Sequence, residues 1–430
     1  MEAAPGSATR RRVALTITIL GFSVFAVYIG LWLALIVGGH TEQADYTAFY
    51  TGWTIVADGH GPDLYDIGTQ TATQQAILGG RSFEAGLNPF NNPPHLVVPF
   101  VPLAALPLRT SYLVWGAIQI GLLAWLVWRL WSAVAAEWTR EERVALVAVS
   151  LAASPLIITF LQGAFSLLAC VAVVEAYLAL RRSHDGRAGA WLVLATIKPQ
   201  AVAGLGVMLL VGRRWRAIGV GLLVAALLAV LATVVLGPAI WGDYLRFLSR
   251  YVSTFDELSV RPSVMWNLRG TLTLLIGPDH AAEQAGLING LAFAGQILGL
   301  VAVAWLWRGR WSPTTPDFDL RFALTIVIGL LTSAHLNPHD DLLLVPAAAI
   351  AYRALRERPE GGRDGLLLAV ATFVVLIANG ISANAVEGPP IRVPVVVMAL
   401  FAIGLAWRLR APSAAAPAAT VGVTGSAGTS

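Results

Sequence analysis

Continuous apolar runs of roughly 18 to 25 residues recur along almost the whole of this chain, and nothing else in it restricts the fold as strongly. Runs of that length can cross a bilayer, where only helices and closed barrels satisfy every backbone N–H and C=O. A spanning barrel would alternate apolar and polar residues in short segments, whereas these runs are unbroken. The sequence therefore predicts an all-α polytopic membrane protein. A content of 57% hydrophobic and 13% charged residues excludes an ordinary soluble fold. The net charge of +4 is gathered in short loops, where it sets orientation, and no nucleic-acid partner is expected. The one cysteine, Cys170, lies inside an apolar run, which excludes a disulfide framework and suits a small core residue.

The first span is read at 13–37, behind Arg10, Arg11 and Arg12. Gly38-Gly39-His40 is a poor cleavage site, so the span is expected to be retained, with 1–12 as a basic cytoplasmic N-terminus. A polar, glycine-rich outer loop follows at 38–94. Further spans at 112–131, 144–160, 165–180, 217–236, 286–307, 322–333, 342–354, 365–381 and 393–409 bring the total to about ten spanning helices in a membrane domain at 13–410. The stretch 96–106 is apolar but too short to cross, and Pro99 and Pro102 interrupt it; a re-entrant or broken helix fits. The stretch 188–211 is long enough, but Lys198-Pro199-Gln200 sits at its centre. One crossing there would put Arg213, Arg214 and Arg216 outside, against the cytoplasmic bias of arginine, whereas two half-helices meeting at Lys198 keep them inside. With both termini cytoplasmic, Arg129, Arg181, Arg308 and Arg356 fall in inner loops, as expected for a multi-pass cell-membrane protein. Residues 411–430, rich in Ala, Pro, Gly, Ser and Thr, read as a disordered cytoplasmic tail.

On this topology Asp45, His95, Gln162, Lys198, Arg269, His335, His339, Asp340 and Asp341 all fall at or just within the outer side. The inner loops hold no Gly-rich or nucleotide motif. Chemistry is therefore expected at the outer face, where nucleotide sugars are not supplied, so an activated substrate should arrive attached to a lipid. Asp45, just beyond the first span and followed by aromatics, is the leading catalytic candidate: a carboxylate there could take the proton of an attacking hydroxyl. It would equally suit a helix N-cap. Asp63 and Asp66, beside Gly61-Pro62, read as turn residues. Lys198 is the only lysine among 29 Lys and Arg residues, and at an intramembrane break it could meet a lipid-linked phosphate, snorkel to the interface, or pair with an acid. Glu175 is expected to pair with Arg181 and Arg182. His335-Leu336-Asn337-Pro338-His339-Asp340-Asp341 could bind phosphate, sugar or a divalent cation, or form a turn capped by Asp340; without a repeated ligand pattern, the cation is not favoured and no metal site is assigned. Trp266-Asn267-Leu268-Arg269-Gly270 closes an outer loop whose arginines would suit an anionic head group or interfacial anchoring.

Several of these motifs, taken in order, resemble glycosyltransferase family 87. They are Asp45-Tyr46-Thr47-Ala48-Phe49-Tyr50, Gly61-Pro62-Asp63-Leu64-Tyr65-Asp66, Phe90-Asn91-Asn92-Pro93-Pro94, Pro102-Leu103-Ala104-Ala105-Leu106-Pro107, Ile197-Lys198-Pro199-Gln200, Arg213-Arg214-Trp215-Arg216 and the hairpin at 333–346. Members of that family have the GT-C membrane fold and include polyprenol-phosphate-mannose-dependent α-mannosyltransferases. The resemblance implies a GT-C-type helical bundle and a catalytic aspartate in the first outer loop, a position Asp45 matches. It also implies a polyprenyl-phosphate sugar as co-substrate, a glycolipid or glycan acceptor, and an inverting displacement that moves a hexose, mannose by family weight. No cofactor is assigned. Lys198, Arg269, His335 and His339 are then expected to hold the donor phosphate. Tyr46, Tyr50, Asn92, His95, Gln162, Asn267 and Asp340 are expected to contact substrate. Where the family often places a Gly-Gln pair, this chain has Gln162-Gly163-Ala164.

The competing reading is a transporter or flippase for a lipid-linked or small polar solute. It predicts related halves and polar residues strung between both faces. This chain shows no halves and gathers its polar residues at one face. The two readings differ in whether the fold collects Asp45, Lys198 and the 335–341 hairpin around one outward cavity.

Overall fold

The computed structural model describes residues 5–39, 42, 44–83, 86–255, 258–358, 365, 368, 370, 372 and 392–410. The tail read at 411–430, most of the span read at 365–381 and a few positions of the first outer loop lie outside the described residues. Apart from one isolated bridge between Phe83 and Gly86, the regular structure is helical.

Helix α1 (Pro5–Val37) leads into the first loop, which folds into α2 (Tyr46–Ala57) and α3 (Ile67–Ile77). Two 3-10 turns follow, Pro94–Leu96 and Val98–Ala105, where the prolines deny the backbone its helical donors and the apolar stretch breaks as expected. Then come α4 (Leu108–Arg129), α5 (Arg140–Ala152), α6 (Ser154–Gln162) and α7 (Ser166–Arg181). Next are α8 (Asp185–Ala195), α9 (Pro199–Val211), α10 (Trp215–Leu236) and α11 (Ile240–Ser253). After α12 (Leu268–Ile276) and α13 (Pro278–Ala281), α14 (Ala285–Leu306) and α15 (Pro316–Thr332) precede the 3-10 hairpin Pro338–Leu343. Helices α16 (Leu344–Arg356) and α17 (Val393–Arg410) complete the described chain.

Burial sorts these helices into two groups. α7, α15 and α16 are buried on nearly every side and carry the larger hydrophobic core. α1 and α10 are apolar all round yet only 6% of each spanning window is buried, so their side chains need hydrocarbon outside the protein. The enclosed helices are short, and this corrects the span count. Among the described residues five helices are long and apolar enough to cross a membrane, six if the pair α5–α6, bent by 44°, counts as one. The ten spans read from the sequence are not reached, because segments such as 322–333 and 342–354 belong to helices of 17 and 13 residues. A helix wrapped in protein need not match the bilayer thickness by itself. Lys198 does stand between two short helices, α8 and α9.

Small residues let the helices close up. A Cβ on Gly189 of α8 would lie 1.9 Å from the Ala217 carbonyl oxygen of α10, so only glycine permits that crossing. The axis of α7 separates two chemically distinct ends, about 24 Å apart for its 16 residues. At its start Ser166 hydrogen-bonds Asp340. At its end Arg181 makes two 2.8 Å bonds to Asp319 of α15. Glu175 pairs with Arg129 and Arg187 rather than with Arg181 and Arg182. Six residues along a helix place Arg181 about 120° round the axis from Glu175, which faces the end of α4 instead.

Candidate active site

The site begins with the way α2 is seated. Asp45 occupies the N-cap position in αR conformation, yet its side chain makes no capping bond, so its carboxylate is not spent on the helix. Its backbone N–H donates to Gln162 Oε1 at 2.8 Å, at the end of α6. Gly163 turns the chain there with φ +66°, and a Cβ would lie 2.8 Å from that of Tyr46. That left-handed glycine is what lets α2 meet α6.

Asp45 Oδ1 accepts a hydrogen bond from Asn88 Nδ2 at 3.2 Å. Asn88 lies on an extended stretch that α3 clamps. Gln74 accepts from the Asn88 N–H at 3.1 Å and donates to its carbonyl at 2.7 Å; Gln70 accepts from the Phe90 N–H at 2.7 Å. The two carboxamides, four residues apart on one helix face, stand in for a neighbouring β-strand. Gly52 of α2 lets the Phe90 ring pack directly against the helix backbone. Asp66 caps α3 by accepting from the Thr69 N–H, and this bond holds its carboxyl below the usual range, in keeping with a turn role.

Lys198 faces this wall. Its ammonium lies 2.9 Å from Asp340 Oδ1 and 3.3 Å from His339 Nε2, and its side chain is 15% exposed. The other Asp340 oxygen accepts from the Asn337 N–H at 3.1 Å, so Asp340 both caps the hairpin and holds the lysine. Burial, the largest single influence, would raise the Asp340 carboxyl; the Lys198 charge, neighbouring His339 and hydrogen bonds from Lys198 and the Asn337 N–H together outweigh it and bring the group to about 2. Neighbouring Asp341 is fully buried, and both its oxygens lack a hydrogen-bond partner among the described residues. Burial, and then the charge of Asp340, push the Asp341 carboxyl well above the usual carboxylate range. Burial likewise lowers His339 and takes His335 down to about 3, leaving both imidazoles uncharged at neutral pH.

Asp45, Asn92, Lys198, His335 and His339 share a cavity of about 220 Å³, with Phe49, Tyr244 and Tyr251 among its apolar walls. Asn92 Nδ2 and His339 Nδ1 are buried nitrogens without hydrogen-bond partners among the described residues, and a ligand's polar groups would satisfy them. Other residues expected at the site are placed elsewhere. Tyr46 hydrogen-bonds Ser111 and Tyr50 the Leu106 carbonyl, both away from the cavity wall. Asn267 caps α12 and donates to the Ser333 carbonyl, while His95 stacks near Trp241. Arg269 is buried against Phe255 and donates to the Thr254 carbonyl; its Nε and Nη1 have no hydrogen-bond partner among the described residues, which exclude Asp256 and Glu257. Gln162 holds the Asp45 backbone, not a cavity wall. Asn88 and Tyr251 line the cavity and were not singled out by sequence; the Gln70/Gln74 pair was the available signal for the first. Among the described residues no three His, Cys, Asp or Glu side chains are grouped to hold a metal ion.

Residues 90–336, more than half the chain, match the family model described as Glycosyltransferase family 87. The matched stretch includes Asn92, Gln162, Lys198, Arg269 and His335, whereas Asp45 precedes it and His339 and Asp340 follow it. No curated protein and no solved structure matches the chain.

Proposed function

The chain belongs to glycosyltransferase family 87, and from that membership we propose that it is a GT-C-type enzyme using a polyprenyl-phosphate hexose, mannose foremost, to glycosylate a glycolipid or glycan at the outer membrane face. The observation that carries this reading is the meeting of one carboxylate, Asp45, and one ammonium, Lys198, on the wall of a single cavity. Asp45 accepts the proton of the acceptor hydroxyl as that oxygen bonds to the anomeric carbon from the face opposite the phosphate. The bond from the anomeric carbon to the phosphate oxygen breaks, and the configuration inverts. Negative charge then grows on the departing polyprenyl phosphate, and Lys198 is oriented to meet it. Two of its three N–H bonds are directed to Asp340 and His339, leaving one for the cavity. A phosphate leaving group needs charge neutralisation but no proton, so one carboxylate suffices. The aromatic walls suit the C–H face of a sugar ring.

The test is donor choice by purified protein in lipid with a total membrane-lipid acceptor extract. Transfer is expected from polyprenyl-phosphate mannose and not from a mannose nucleotide. Transfer from the nucleotide sugar at an equal rate would overturn the lipid-donor reading.

A further inference from the structure

At the end of the molecule opposite the candidate active site, α14 and α17 each pack against α15 and leave a groove of about 580 Å³. Its walls are apolar, with Leu324 and Ile328 on the floor and Ala402 and Ala406 along α17. Arg321 to Ile328 is about two helical turns, so the groove runs roughly 10 Å along the bundle. Trp305 and Ile403 at its edges are 61% and 64% exposed, which leaves it open sideways to hydrocarbon.

Three arginines, Arg308, Arg321 and Arg410, converge on one end of this groove from the three helices and their flanks. They make no ion pair among the described residues. Their neighbours at the same end behave differently: Arg129, Arg181, Arg214, Arg356 and Arg358 are each engaged by a carboxylate. Asp317, one turn before Arg321 on α15, is taken by Arg358. Apolar space closed at one end by three cations that no described carboxylate pairs is complementary to one kind of membrane component: an acyl chain joined to an anionic head group.

We infer that the α14–α15–α17 groove is a binding site for an anionic phospholipid, its acyl chain along Leu324 and Ile328 and its phosphate against Arg308, Arg321 and Arg410. The site is separate from the transfer chemistry and does not depend on it. Each arginine near an anionic head group contributes roughly fivefold to lipid affinity, less after salt screening.

The full chain is reconstituted in nanodiscs of equal phosphatidylglycerol and phosphatidylcholine, released into mild detergent, and the retained lipid counted by native mass spectrometry. Wild type is expected to keep phosphatidylglycerol over phosphatidylcholine by about tenfold or more. Replacing Arg308, Arg321 and Arg410 together by Gln should bring the ratio close to one, while replacement by Lys retains most of the preference. Ala402→Trp, which fills the groove, should lose both lipids with the arginines intact. All three arginines are at least partly exposed, so an unchanged melting temperature certifies the fold. Equal retention of the two lipids by wild type, or an undiminished preference in the Gln variant, overturns the assignment. So does a preference that survives Ala402→Trp, because the lipid would then lie elsewhere.

Discussion

Lys198 is positioned before any substrate arrives, because Asp340 and His339 already hold its ammonium. Breaking a buried pair strands the remaining charge, so Asp340→Asn should cost about 3 kcal/mol or more, read as a lower melting temperature. Removing both charges with Lys198→Met and Asp340→Leu should recover most of that stability while transfer stays lost. A double variant that transfers sugar normally would remove Lys198 from the mechanism. The histidines predict a pH response. The unfolded chain takes up their protons from about pH 6.5. The folded chain, with His335 near 3, takes them up only lower, so the histidines' contribution to stability is complete above about pH 6.5 and is lost as pH falls towards 3. Asp340, held near 2, adds its own loss only below the ordinary carboxylate range. His335→Gln should therefore flatten the fall in melting temperature between pH 6.5 and 4, and an unchanged slope would refute this. The placement of Asp45 and Lys198 on one cavity is legible in sequence because an acid beside a span and a sole lysine at a break are rare placements. Tyr46, Tyr50 and Asn267 lie off the cavity wall, which is not legible in sequence, since a hydroxyl or carboxamide satisfied inside the fold looks the same there as one facing a ligand.

The site exists because helices stop where they do. Ala153, extended ahead of Pro155, ends α5 and tilts α6, whose last turn then presents Gln162 to Asp45. Gly163→Ala would put a β-carbon in left-handed backbone against Tyr46, costing roughly 1–2 kcal/mol and shifting the start of α2. Transfer should fall more than donor binding, measured side by side on the purified variant; equal, wild-type values for both would show that α2 is not seated by this contact. The breaks at Lys198 and in 96–106 were readable from proline within apolar runs. The lengths of α15 and α16 were not, because hydropathy reports that a segment is apolar, not whether lipid or protein surrounds it. The clamp of Gln70 and Gln74 on the 88–90 stretch is hidden in the sequence for a related reason: it joins a helix to a segment with no periodicity of its own.

Across the whole molecule, apolar outward faces on α1, α10, α14 and α17 surround enclosed helices that carry charge at both ends. Ion pairs of Arg129, Arg181 and Arg214 lie at one end, and the Asp45–Lys198 cavity at the other. That polarity and the family were already present in the order of motifs; the cavity required the fold, since it joins residues from 45 to 339. The central claim is that Asp45 is the base for sugar transfer from a lipid phosphate. Its most direct test compares wild type with Asp45→Asn in lipid, measuring both polyprenyl-phosphate mannose binding and transfer to a membrane-lipid acceptor. The account predicts donor binding within a few-fold of wild type and transfer lower by about a hundredfold or more. Wild-type transfer by a folded Asp45→Asn protein would contradict it.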